Sequence, residues 1–157
     1  INDPTLEIDD SCMLFIRGSG PVAYPGSAEV VNMLPPDALV QAGTTELPCI
    51  GDGRQSGTSA SPSILNASPE SAVGGGLAIL QTGDRVLIDL NTRRVDVQLS
   101  DKELQERWDA YEPPVLEHQT PWQEIYRGMV GQLSTGACLE VATNYHGVAA
   151  NMPRHSH

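Results

Sequence analysis

Positive charge is scarce in this chain. Nine Lys and Arg stand against 20 Asp and Glu across 157 residues, for a net charge of −11, and only Arg93 and Arg94 are adjacent. Without a basic cluster, neither nucleic acid nor an anionic membrane surface is an expected partner. Long apolar runs are missing as well: nothing approaches the ~18 residues that a membrane-spanning helix requires. Cysteine is sparse. Cys12, Cys49 and Cys138 are widely and unevenly spaced, with no C-x-x-C pair. That excludes a disulfide framework and a complete zinc or iron–sulfur site within this chain. Buried free thiols in a reducing, cytoplasmic compartment are the expectation. Aromatic residues make up only 4%, whereas Gly (15) and Pro (12) are high together, so the fold should rely on turns and small-residue packing. The opening at Ile1 shows neither a charged n-region nor an apolar h-region. The sequence therefore reads as a piece of a longer one, with any targeting segment, mitochondrial in a eukaryote, lying upstream.

Residues 1–10 are acidic and polar and read as the remnant of an interdomain linker, leaving 11–157 as the folded domain. Cys12-Met13-Leu14-Phe15-Ile16 is an apolar run of strand length, closed by the loop signal Gly18-Ser19-Gly20-Pro21. Ser27 is placed to cap a short helix through Met33. Pro35-Pro36-Asp37 opens another over Ala38 to Ala42, stopped by Gly43. Leu47-Pro48-Cys49-Ile50 predicts a brief strand. Val86, Ile88 and Leu90 alternate along one segment and Val95, Val97 and Leu99 along the next, which predicts a β-hairpin around Asn91-Thr92-Arg93. Ser100-Asp101-Lys102-Glu103 fits a capping box and opens a helix over Leu104 to about Ala110, ended by Glu112-Pro113-Pro114. Trp122 to Gln132 is the last predicted helix. The sum is a mixed α/β domain, more barrel-like or sandwiched than doubly wound.

The least ordinary segment is Gly51-Asp52-Gly53-Arg54-Gln55-Ser56-Gly57-Thr58-Ser59-Ala60-Ser61-Pro62-Ser63, packed with small and hydroxyl residues. It is not a Walker loop, because no lysine follows Gly57. Nor is it a nucleophile elbow, because Ser56 lacks glycines two positions before and after it. Its glycines allow positive φ and let backbone N–H groups approach a ligand; they suit equally a tight turn capping a helix. A similar composition runs from Gly18 to Glu29. Glu29 is open to two readings, complement to a helix dipole or hard oxygen ligand for Mg²⁺. His118, His146, His155 and His157 have no metal-ligand spacing and read as surface or tail residues. The Asn66-Ala67-Ser68 sequon stands without a secretory signal.

At these two loops the chain resembles a known family. Gly51 to Ser59, continued by Ser61-Pro62-Ser63-Ile64-Leu65-Asn66-Ala67-Ser68-Pro69-Glu70 and Gly74-Gly75-Gly76-Leu77-Ala78, is similar to the dihydroxy-acid dehydratase / phosphogluconate dehydratase family, whose C-terminal signature is Asp-Gly-Arg-x-Ser-Gly. Pro25-Gly26 with Glu29, Thr82-Gly83-Asp84-Arg85-Val86, Ser100 to Leu104 and Gln119 to Gln132 also match, so the likeness runs from about residue 11 to the end. Gln55-Ser56-Gly57-Thr58-Ser59 with Ser61-Pro62-Ser63-Ile64 resembles the sugar-acid (aldonate) branch, which acts on substrates such as arabinonate, xylonate or gluconate. The branched-chain amino-acid enzymes more often carry an aromatic residue at position 55 and glycine at 58.

The resemblance implies an α/β, swivelling β-barrel-like domain with flanking short helices, similar to the aconitase swivel domain. It implies an N-terminal domain outside this chain, supplying most Mg²⁺ ligands and the cysteines of an iron–sulfur cluster, [2Fe–2S] in many members. Ser56 would be the base that removes the C2 proton, Thr58 a hydroxyl that orients it, and Glu29 a carboxylate on the Mg²⁺. Cluster iron would act on the C3 hydroxyl, and the product would be a 2-keto-3-deoxy acid. Asp52, Arg54 and Gln55 would either brace the loop or touch substrate. The full-length protein would be a homo-oligomer, and the isolated chain inactive. Two physical points agree. A serine hydroxyl is a poor base at neutral pH and needs a cation to stabilise its alkoxide, and a chain at −11 cannot attract an anionic aldonate unaided. The alternatives are the dihydroxy-acid dehydratase of branched-chain amino-acid biosynthesis and a non-catalytic binding module on the same fold. Retention of Ser56, Thr58 and Glu29 together favours a catalyst.

Overall fold

The computed structural model describes residues 1–26, 29–30, 34–55, 61–117 and 120–145, with the backbone alone at Glu29, Val30 and Gln55. In chain order the elements are β1 (Leu14–Ile16), β2 (Glu29–Val30), α1 (Asp37–Gln41), β3 (Cys49–Gly51), β4 (Arg54–Gln55), β5 (Ser63–Ile64), β6 (Val86–Asp89), β7 (Arg94–Val97), α2 (Asp101–Asp109) and α3 (Pro121–Met129). Single 3-10 turns at Ser71–Val73 and Gly76–Ile79 carry the chain from the central sheet to the hairpin. Three sheets form: β1-β3-β5 and β2-β4, both parallel, and the antiparallel β6-β7. The mixed α/β class is the one the sequence predicts. Among the described residues the three sheets remain separate and close no barrel.

The core sits on β1 and β3. Leu14, Leu47 and Cys49 are buried together, with Ile8 and Leu39 packed against them. Every residue of β3 is buried, as expected of a strand with parallel partners on both sides. The first ten residues take part in this packing. Ile8 touches the core, and Asn2 Oδ1 accepts from the Asp37 N–H at 2.8 Å, at the start of α1. The predicted α1 forms and is followed by Gly43 at φ +102°, a left-handed turn that glycine adopts without strain.

The hairpin forms where the alternation predicts, with Val86 opposite Val97 and Ile88 opposite Val95. A cavity of about 250 Å³ separates it from the central sheet, lined by Phe15, Ile50, Ile64, Val86, Val97 and Leu99 among others. At the start of α2 the capping box closes in both directions. Ser100 Oγ accepts from the Glu103 N–H at 3.3 Å, and Glu103 Oε2 accepts from the Ser100 N–H at 2.9 Å. Arg107 donates to both oxygens of Asp84 (2.6 and 2.8 Å) and to the Ile79 carbonyl, fastening α2 to the chain that precedes the hairpin.

Three expectations need correction. Glu29–Val30 is strand, not part of a helix from Ser27 to Met33. A β-branched valine suits extended backbone, and the segment pairs with β4; residues 27–28 and 31–33 lie outside the described ones. The last helix stops at Met129 rather than Gln132, because Val130 turns extended and bridges to Leu139. Of the cysteines only Cys49 is buried. Cys12 is half-buried and Cys138 exposed, at a turn whose Ala137 has φ +50°.

Candidate functional site

Parallel strands cannot be joined by a tight turn, so β2 and β4 come from distant stretches of chain. Their register places Glu29 opposite Arg54 and Val30 opposite Gln55, at the ~4.8 Å spacing of neighbouring strands. The carboxylate residue of the first loop is thus set beside the segment that leads directly to Ser56 in the second. Ser56 and Thr58 lie outside the described residues, as do all four histidines. Arg54 is exposed, while Asp52 is fully buried.

Both strands grow from a buried hub of side chains turned toward backbone. Asp52 Oδ1 accepts from the Ser19 N–H (3.0 Å). Its Oδ2 accepts from the N–H groups of Gly18 (3.1 Å) and Ser71 (2.9 Å) and from the Ser71 hydroxyl (2.6 Å). Glu70, also fully buried, accepts from the Val22 N–H at Oε1 and the Ala23 N–H at Oε2, each 2.9 Å. The Gln132 amide donates to Glu70 Oε1 (2.9 Å), and Gln132 Oε1 accepts from the Glu70 N–H (2.8 Å). From α3, Arg127 donates to the carbonyls of Val22 (2.9 Å), Ala23 (3.2 Å) and Glu117. A buried carboxyl group left without such partners is strongly destabilising, which is why these two are so fully engaged. Space is equally tight. A Cβ on Gly20 would stand 2.4 Å from Glu70 Oε2, and one on Gly53 would stand 2.6 Å from Ser19 Cβ.

The sequence directs attention to Asp52 but not to Glu70, Arg127 or Gln132. One signal was available: Glu70 is the sole charged residue between Arg54 and Asp84. A solitary charge in a stretch of small residues has to find buried partners or stay in water. Asp84 belongs to a different pair. The Arg107 hydrogen bond holds its carboxyl below the usual carboxylate range, against the opposing effect of burial. That ion pair ties α2 down, and neither the hollow beside it nor the apolar cavity is lined by Asp52 or Arg54.

The donors offered here are hard oxygens: one carboxylate residue, Glu29, paired beside a hydroxyl-rich segment. Magnesium takes one or two protein carboxylates and completes its octahedron with water and substrate, so this set suits a share in such a site. Among the described residues no three His, Cys, Asp or Glu side chains gather as a complete cage. The Cys49 thiol lies 3.1 Å from the Ser63 hydroxyl within the β3–β5 region.

A mixed α/β scaffold pairing a carboxylate residue with a glycine- and hydroxyl-rich loop fits the class of dehydratase C-terminal domains. The chain belongs to the dihydroxy-acid/6-phosphogluconate dehydratase family, matching its C-terminal domain over residues 1–137. It is 58% identical over 157 residues to D-xylonate dehydratase of Caulobacter vibrioides, which covers 100% of this chain and 26% of that protein. It is 35% identical over 158 residues to L-arabinonate dehydratase of Rhizobium leguminosarum bv. trifolii, covering 99% and 27%. Against dihydroxy-acid dehydratase of Sulfolobus acidocaldarius it is 34% identical over 131 residues, covering 83% and 23%. The chain spans about a quarter of the length of these curated relatives.

Proposed function

We propose that this chain is the C-terminal domain of a longer hydro-lyase that removes water from a sugar acid (aldonate) to give a 2-keto-3-deoxy acid. The observation that carries the reading is the parallel register Glu29↔Arg54, which aligns the two loops where the family resemblance puts a metal carboxylate and a base. The likeness to D-xylonate dehydratase, well above that to dihydroxy-acid dehydratase, supports an aldonate as substrate.

In this reading Ser56 Oγ takes the C2 proton, with Thr58 orienting it. The C3 hydroxyl leaves, and the resulting enol takes up a proton at C3 to become the 2-keto acid. Glu29 supplies one oxygen ligand to Mg²⁺. Arg54 and Gln55 flank the base, and Asp52 braces the strand that carries them. When bound, Mg²⁺ supplies the positive charge that a serine base and an anionic substrate require, and an iron–sulfur cluster a Lewis acid for the C3 hydroxyl. The rest of the polypeptide supplies the cluster ligands, and the site lies at its junction with this domain. The whole protein works as a cytoplasmic homo-oligomer.

The test is an aldonate panel given to the intact, anaerobically purified protein, reading 2-keto acid formation. Turnover of xylonate or arabinonate is the expected result. Exclusive turnover of 2,3-dihydroxy-3-methylbutanoate would move the protein to the branched-chain amino-acid branch, and none at all would favour a binding module. Ser56→Ala should cut kcat by at least ~100-fold, the scale on which a general base acts, with an unchanged circular dichroism spectrum.

A further inference from the structure

The hub grips both limbs of the site at their roots. Asp52 stands two residues before Arg54, and Ala23 stands six before Glu29. The peptide groups of residues 22 and 23 are held from two sides, their N–H groups by Glu70 and their carbonyls by Arg127 of α3. Gln132 locks the Glu70 carboxyl in turn, and Ser71, next in sequence, ties the same hub to Asp52. An arm that presents a metal carboxylate gains affinity when it is ordered beforehand, because ordering it during binding subtracts from the free energy of association.

We propose that Glu70 is a positioning residue: by holding Val22 and Ala23, with Gln132 and Arg127 as its partners, it sets the placement of Glu29 and thereby the affinity of the site for its divalent cation. This rests on the reading of Glu29 given above. The hydrogen-bond pattern makes the idea sharply testable. With an amide in place of the carboxylate at position 70, one face of that side chain must donate. If that face meets residues 22 and 23, it opposes their N–H groups. If it takes the place of Oε1, it opposes both the Val22 N–H and the Gln132 amide, and flipping Gln132 only turns its NH₂ onto the residue-70 N–H. Every arrangement leaves a donor facing a donor. Pairing Glu70→Gln with Gln132→Glu removes the conflict at position 132 and leaves the Val22 N–H its second, 3.2 Å acceptor in place of the 2.9 Å one. The amide at position 70 then donates to the carboxylate at position 132, and its oxygen, in the place of Oε2, accepts from Ala23 and from Val22 by the longer contact. That carboxylate also accepts from the residue-70 N–H.

The experiment uses the intact protein and Mn²⁺ as a paramagnetic probe of the magnesium site, with binding read by electron paramagnetic resonance and folding by thermal melt. Glu70→Gln is expected to weaken Mn²⁺ binding about ten-fold, the scale on which partners behind a metal ligand act, and the double exchange, Glu70→Gln with Gln132→Glu, to recover part of it. Arg127→Lys, which keeps the charge but loses the planar fork on two carbonyls, should weaken binding in the same direction and serves if Glu70→Gln does not fold. Parental Mn²⁺ affinity in a folded Glu70→Gln or Arg127→Lys protein would overturn the proposal, and so would a double exchange that recovers melting but no affinity. Glu29→Gln separates the two layers. If it leaves Mn²⁺ binding unchanged, the metal reading of Glu29 falls and the proposal with it. If it abolishes binding while Glu70→Gln does not weaken it, the positioning role alone fails.

Discussion

A side chain at position 20 has nowhere to go. The nearest atom, Glu70 Oε2, cannot retreat, because the carboxyl is bonded to Val22, Ala23 and Gln132. Gly20→Ala should therefore cost about 2 kcal/mol, the range of overpacked cores, measured by urea unfolding; an unchanged midpoint would show that the hub can yield. The Asp84–Arg107 pair makes a prediction in pH. Because the folded state lowers the Asp84 pKa, the stability it confers is fully present above the unfolded carboxylate value of about 3.9. That stability is lost as pH falls through the lower folded value. Asp84→Asn should lower the melting temperature at pH 7 by several degrees and flatten part of the acid limb; superimposable acid-unfolding curves would refute this. Glu70 and Arg127 escaped sequence reasoning for a physical reason. They bond mainly to backbone, whose N–H and C=O groups are the same whatever the residue, so no pairing pattern betrays them, and the isolation of Glu70 among small residues is the one trace left.

Elements held by local signals were legible, and those held by distant pairing were not. The hairpin shows in its alternation, α1 in Pro35-Pro36-Asp37, and α2 in Ser100-Asp101-Lys102-Glu103, each a device contained within a few residues. By contrast β2 and β4 are two residues long and exist only because each supplies the other's hydrogen bonds. Read alone, the serine and small residues before Glu29 suggest a helix start. The capping box offers a local test. Ser100→Ala should cost about 1 kcal/mol, seen as a shifted denaturation midpoint with unchanged helicity at low denaturant. A larger loss would mean that Ser100 does more than cap α2.

The described residues enclose little apolar material. Among the described residues Leu14, Leu47, Cys49, Ile50, Ile79 and Val130 are the buried hydrophobic side chains, whereas Val115 is 94% exposed and Trp122 77%. Fewer buried groups mean less of the main force that opposes chain entropy. Expressed by itself, the 157-residue chain should self-associate in sedimentation velocity through such surface and form no 2-keto acid from any aldonate. Turnover by that chain alone would remove the need for a partner domain.

A two-residue ladder has no turn of its own to hold its alignment. It inherits that alignment from wherever its strands are moored, here at Val22-Ala23 and at Asp52. The excursion between the strands carries Leu39, Leu47 and Cys49 into the core and comes to the surface at the bend around Gly43. Added residues are therefore tolerated at that exposed bend, while a single added residue between Ala23 and Glu29, or between Asp52 and Arg54, would slide one partner past the other and turn alternate side chains to the opposite face.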